Sequence, residues 1–166
     1  MKTIYLKEKV RVSDPCYKRK VWCAETLSNV LPGKWFVDII RYENESTIQE
    51  LQIRHEDYQT CNIAEFYSEV SADSGQMGVY NEDYFEDNCE DHDYYDTSSW
   101  YRRACDLTAG QELYGILDSG QGVVCRSGDG DGAYRLYVAY DNNERIVGIR
   151  VDFTDIIDWL DEEHFN

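Results

Sequence analysis

Proline is nearly absent from this chain. Two occur in 166 residues, and no Pro/Gly/Ser-rich stretch interrupts the sequence. That argues against an internal linker, so residues 1–166 read as one domain with enough chain for a real core. Long apolar runs are missing too: none approaches the roughly 18–20 residues that span a bilayer. Met1-Lys2-Thr3-Ile4-Tyr5-Leu6-Lys7 lacks the apolar centre of a signal peptide. The expectation is a soluble, cytoplasmic protein. The six cysteines include no C-x-x-C pair, which removes zinc-ribbon and thioredoxin signatures. In a reducing compartment they read as thiols or metal ligands rather than disulfides. Base is scarce: 16 Lys/Arg stand against 33 Asp/Glu, a formal charge of −17. A field of that sign repels nucleic acid and anionic membranes.

The charge is also uneven. Residues 1–41 carry nine Lys/Arg and four Asp/Glu and are net positive, so all of the excess acid lies beyond them. It peaks at Glu82, Asp83, Glu86, Asp87, Glu90, Asp91, Asp93 and Asp96, a run without Lys or Arg that also holds Tyr84, Phe85, Tyr94 and Tyr95. Carboxylates beside flat rings resemble phosphates beside bases, so this segment, at about 81–96, is the candidate DNA-mimicking, partner-binding surface. A second acidic stretch runs from Asp152 to Glu163.

Hydrophobic alternation predicts strands at 3–12, 35–42, 47–54, 64–70, 77–80, 112–117, 122–125, 133–140 and 145–153. The last two should form a hairpin through Asp141-Asn142-Asn143-Glu144, residues that tolerate left-handed backbone. Helices are expected at 22–30, stopped by Leu31-Pro32-Gly33; at 81–88, capped by Asn81; at 98–104, capped by Thr97 or Ser98; and at 154–163, capped by Thr154. The sum is an α+β domain with a mainly antiparallel sheet and a few short helices.

A set of strings covers nearly the whole chain: Val12-Ser13-Asp14-Pro15-Cys16-Tyr17, Trp22-Cys23, Asn29 to Trp35, His55-Glu56-Asp57-Tyr58, Asp73-Ser74-Gly75-Gln76-Met77-Gly78, Cys105-Asp106-Leu107-Thr108 and Gly128-Asp129-Gly130-Asp131-Gly132-Ala133-Tyr134. Together they resemble a family of small, uncharacterised phage and prophage proteins. In length, charge and setting the chain is also similar to acidic type II anti-CRISPR inhibitors. The resemblance implies a protein at work in a host-cell cytoplasm. It implies an inhibitor, not an enzyme, whose partner is a basic nucleic-acid-binding protein, a CRISPR effector nuclease foremost. The acidic run departs from the generic family and would be this chain's own partner-binding device.

Three thiols and one imidazole in those strings, Cys16, Cys23, His55 and Cys105, make a candidate closed, structural zinc set. Buried free cysteines and an ordinary histidine are the alternative. Cys89-x-x-His92, joined by Cys61 or Cys105, is a second candidate. Neither the acidic run nor Asp129-Gly130-Asp131-Gly132 has EF-hand spacing. The latter reads as a turn into a strand, and no Gly-x-Ser-x-Gly elbow occurs. The competing function is a metal-dependent or thiol enzyme acting on a small molecule or nucleotide, with Asp14, Asp73, Gln76, Asp129 and Asp131 converging in a cleft.

Overall fold

The structure, a computed structural model, describes residues 2–19, 21–43, 45–88 and 94–157. Its strands are β1 (Lys2–Leu6), β2 (Val10–Ser13), β3 (Glu25–Leu27), β4 (Gly33–Arg41), β5 (Ile48–His55), β6 (Glu65–Ala72), β7 (Gln76–Asn81), β8 (Tyr114–Ile116), β9 (Gly122–Arg126), β10 (Gly132–Tyr140) and β11 (Ile146–Ile157). Two short helices, α1 (Glu82–Asn88) and α2 (Trp100–Thr108), lie between β7 and β8. The strands form a six-stranded sheet in the order β1-β4-β5-β11-β10-β6 and a five-stranded sheet in the order β3-β2-β7-β9-β8. Every pairing within them is antiparallel. The architecture is thus mainly antiparallel sheet with short helices, in keeping with the α+β expectation.

Alternation decides which side of each strand is buried. Trp35 and Val37 of β4, Leu51 and Ile53 of β5, Leu136 and Val138 of β10 and Ile149 and Val151 of β11 face one buried cluster. Val10, Val12, Met77, Val79, Val123 and Cys125 enter the same cluster from the five-stranded sheet. The β10–β11 hairpin forms as expected, with Leu136 opposite Val151 and Val138 opposite Ile149. Asp141 Oδ1 accepts the N–H groups of Asn143 and Arg145, each at 2.9 Å, and Glu144 takes a left-handed φ of 62°.

Three local expectations are corrected. Residues 22–30 do not form a helix: Glu25–Leu27 pairs with β2, with Leu27 opposite Val10 and wholly buried. Burial against β2 outweighs the weak helix propensity of a short segment. Leu31-Pro32-Gly33 therefore stops no helix; it turns the chain into β4. Gly33, at φ 133°, lies so close to His55 that a Cβ there would approach Nε2 to 2.9 Å. Second, the 3–12 strand is two strands in different sheets. Third, residues 154–157, read as the start of a helix, continue β11; 158–163 lie outside the described residues.

The middle helices occur, with other caps. Ser99 caps α2 by accepting from Arg102 N–H at 3.1 Å, and the helix runs to Thr108. Asn81 closes β7 instead of capping α1. Its side chain accepts from Lys7 N–H at 2.7 Å and donates to Tyr5 O and Gln121 Oε1, each at 2.9 Å. No helix among the described residues is long and apolar enough to cross a membrane.

Candidate functional site

The acidic run starts on an aromatic platform. Tyr80 of β7 stacks on Phe85 of α1, with ring centroids 5.4 Å apart and planes 3° apart. Trp100 of α2 meets Tyr80 edge-on at 5.1 Å and Phe85 at 5.4 Å. Arg11 lies 4.2 Å above the Phe85 ring, where the quadrupole attracts a cation. Tyr84 and Phe85 therefore face inward and pin the run to its own fold. Trp100→Ala should cost about 4 kcal/mol, since the cluster loses its central ring and leaves a cavity; chemical denaturation against Trp100→Phe measures it. A loss under about 1 kcal/mol would contradict this packing.

The run also meets the basic N-terminal segment. Lys7 Nζ bonds Asp83 Oδ2 at 2.5 Å, and Arg19 bonds Glu82. Glu82 and Asp83 thus hold α1 in place. The Lys7 ammonium holds the Asp83 carboxyl below the usual carboxylate range. Asp96 is exposed and anchors the entry to α2 by accepting from Ser98 N–H at 3.0 Å and Ser98 Oγ at 2.7 Å. Tyr94 and Tyr95 point outward, 47% and 88% exposed. They meet edge to face at 5.6 Å, and the Arg102 guanidinium lies 4.7 Å from the Tyr94 ring. Glu86 and Asp87 lie on α1 with side chains outside the described residues; Glu90, Asp91 and Asp93 lie outside them altogether, as do Cys89 and His92.

Elsewhere many of the bases bond acceptors of the chain itself. Arg11 donates to Lys18 O at 3.1 Å, Arg54 to Cys61 O at 3.0 Å and Arg126 to Thr108 O at 3.3 Å. Arg41 binds the carbonyls of Ser46 and Glu112. Arg150 bonds Ile63 O and Glu50 Oε1, each at 2.8 Å. Lys2–Glu112, Arg102–Asp106, Arg103–Asp118 and Arg145–Asp141 are ion pairs of 2.8–3.0 Å. Most of the described arginines, with Lys2 and Lys7, thus have acceptors within the chain, whereas Lys9 and Lys18 are exposed.

The family-like strings gather into two hydrogen-bonded staples. Asp14, wholly buried, accepts from Cys16 N–H and Asp73 N–H at 2.8 Å each, and from Ser74 N–H and Ser74 Oγ at 2.6 Å each. Gln76 donates to Ser74 Oγ at 3.1 Å and contacts Cys105 Sγ at 3.3 Å; its Oε1 accepts from Thr108 Oγ1 at 2.9 Å. Tyr17 Oη donates to Asp73 Oδ2 at 2.8 Å. Ser127 N–H donates to Gly75 O at 3.0 Å, and Tyr134 closes the 127–130 turn by donating to Gly130 O at 2.5 Å. The second staple joins 29–35 to 55–58. Trp35 Nε1 donates to Leu31 O at 3.0 Å, while His55 holds Pro32 O through Nε2 and Asp57 N–H through Nδ1, each at 3.1 Å.

These placements bear on both site expectations. Asp14, Asp73 and Gln76 do come together, joined by Ser74, but Asp14 already accepts from four neighbouring donors. The 127–131 turn lies alongside, with Asp131 Oδ1 3.9 Å from where a Cβ on Gly75 would stand. For the zinc set, Cys16 and Cys105 share Tyr101 as a neighbour and Cys23 sits by Tyr17. His55 belongs to the other sheet, with both ring nitrogens engaged. Among the described residues, no three His, Cys, Asp or Glu side chains gather as a metal ion requires. The four do not form one ligand set in this geometry.

Burial pushes the Cys16 and Cys125 thiols and the Tyr17 phenol up, and lifts Tyr101 to about 12. These groups hold their protons more tightly folded than unfolded. Their stabilisation is therefore complete below the ordinary values of 9.0 for thiol and 10.0 for phenol, and is lost as pH rises toward the folded values. Thermal melts should fall steadily above pH 9, the ordinary thiol value, with Cys125 unreactive to thiol reagents until unfolding; a flat profile would contradict the burial.

Comparison with known proteins yields no matching family model, no similar curated protein and no similar solved structure.

One surface had no marker in the sequence. Glu65, Phe66 and Tyr67 of the edge strand β6 are exposed beside Tyr140 and Glu144. A strand's place at the rim of a sheet depends on pairings distant in sequence, and alternation alone does not report it.

Proposed function

We propose that the protein is a phage-borne acidic interaction protein that inhibits a host defence enzyme by occupying its basic nucleic-acid-binding surface. A type II CRISPR effector nuclease is the favoured target, and blocked DNA loading the mechanism. The observation that most supports this reading is the asymmetry of charge use. Most arginines, with Lys2 and Lys7, bond the chain's own carbonyls and carboxylates, and the sequence as a whole carries a net −17. A partner lined with Lys/Arg is drawn to such a surface at long range, while a nucleic acid is repelled. The outward Tyr94 and Tyr95 supply anchors of large area at the end of the acidic run. Glu86, Asp87, Glu90, Asp91, Asp93 and Asp96 carry the interaction in this reading, whereas Glu82 and Asp83 hold α1 to Arg19 and Lys7. The inhibitory act needs no catalytic residue.

Labelled target DNA bound to a guide-loaded, cleavage-inactive type II effector nuclease tests the proposal. Adding the protein should release the DNA in proportion to the effector it occupies. DNA that stays bound at saturating protein overturns the named target. The structural zinc of the initial expectation is the part that the geometry supports least, and metal analysis of the purified protein decides it. About one zinc per chain, with a lower melting temperature after chelation, would restore it; no metal and no chelator effect removes it.

A further inference from the structure

We propose that the free edge of β6 is a docking site for an extended, cationic segment of a partner protein, which adds as a strand to the six-stranded sheet. This surface is separate from the acidic run and does not depend on the function proposed above. β6 is the terminal strand of its sheet. On its outer side Ser71 N–H is taken by Cys23 O at 3.0 Å. From Glu65 to Val70 the described residues provide no further backbone partner, which leaves a template for strand addition.

Charge complementarity selects the occupant. An open depression of about 480 Å³ at the Glu65 end of β6, toward the β10–β11 turn, is lined by Asn29, Glu65, Tyr140 and Glu144. Two carboxylates and a phenol ring suit a lysine or arginine head, by ion pairing and by attraction to the ring face. The phenols show the carboxylates' influence: Tyr140, raised chiefly by burial, is raised further by Glu65 and Glu144, and Tyr67 by Glu25. Phe66, 53% exposed, stands against Tyr137 at 6.1 Å. It offers an apolar contact on the side-chain period of an incoming strand. The same carboxylates oppose pairing with a second copy of a chain whose net charge is −17. An edge guarded by acid against itself admits a strand that brings base.

The probe is a fluorescein-labelled eight-residue peptide alternating lysine and valine, read by anisotropy. A control peptide of equal charge carries N-methyl groups at alternate backbone nitrogens, which removes the donors a strand must offer. The parent peptide should bind at least about ten-fold more tightly than the methylated one. Glu65→Lys with Glu144→Lys should weaken it by about ten-fold or more. Asp96→Asn with Tyr95→Ala, at the acidic run, should leave it unchanged. Both lysine substitutions lie at exposed positions, and an unchanged melting temperature shows that folding is intact. Equal binding of the two peptides, or equal binding to the Glu65/Glu144 variant, would overturn the proposal. A dimer in sedimentation that Phe66→Glu disperses would overturn it as well, by making a second copy the occupant. Neither result touches displacement of DNA from an effector nuclease, so the two readings fail separately.

Discussion

Asp14→Ala should lower stability by about 4 kcal/mol, a large share of what a domain of this size possesses. The carboxylate is wholly buried and accepts from Cys16 N–H, Asp73 N–H, Ser74 N–H and Ser74 Oγ at 2.6–2.8 Å. Removing it takes the acceptor from three backbone N–H groups and the Ser74 hydroxyl, all in part-buried bonds, and each bond left unmade costs on the order of 1–3 kcal/mol. Partial relaxation of the 73–76 turn keeps the total below the sum. The melting temperature should drop by about 10 °C for a chain of this length. Asp14→Asn keeps the shape but sets an amide N–H₂ against N–H donors, so it should recover only part of the loss. Ser74→Ala removes one hydroxyl and should cost about 1 kcal/mol. An Asp14→Ala variant as stable as the parent would show that this staple is not a stabilising centre, and would reopen the enzyme reading for Asp14, Asp73 and Gln76.

Replacing Glu86, Asp87, Glu90, Asp91, Asp93 and Asp96 with Gln or Asn should slow association with a basic effector by about 10- to 100-fold at low salt. Dissociation should change less. Tyr95→Ala should act in the opposite sense, raising the dissociation rate with little change in association, because a ring 88% exposed adds contact area and not charge. Glu82→Gln and Asp83→Asn serve as the control pair. Their charges are answered within the chain by Arg19 and Lys7, so they should alter binding far less than the other six. Stopped-flow fluorescence separates the two rates. Undiminished association in the six-fold variant would leave the excess charge as a solubility device only.

The strands were legible because their apolar alternation is read against a core that both sheets share. The β10–β11 hairpin was clearest, since Asp141 to Glu144 supplies a turn whose left-handed residue and side-chain bonds are local. What stayed hidden depended on distant partners. Glu25–Leu27 is a strand because β2 covers it. Asn81 spends its side chain on Lys7, Tyr5 and Gln121, and its position in sequence suggested a cap. The strings around Asp14, His55 and Gln76 drew attention as candidate chemistry. In the fold they are mainly polar staples, because short turns between buried strands must satisfy their own backbone groups. In the acidic run, sequence alone could not divide the inward rings of Tyr84 and Phe85 from the outward ones of Tyr94 and Tyr95. That division is made by Tyr80 and Trp100.

The affinity of the purified protein for a type II effector nuclease, measured across a series of salt concentrations, tests the central claim most directly. Binding that weakens steeply as salt rises, with a shallower dependence in the six-fold neutralised variant, is the result an acidic surface seated on a basic channel requires. Binding that is flat in salt, or no binding to the effector at low salt, would contradict it.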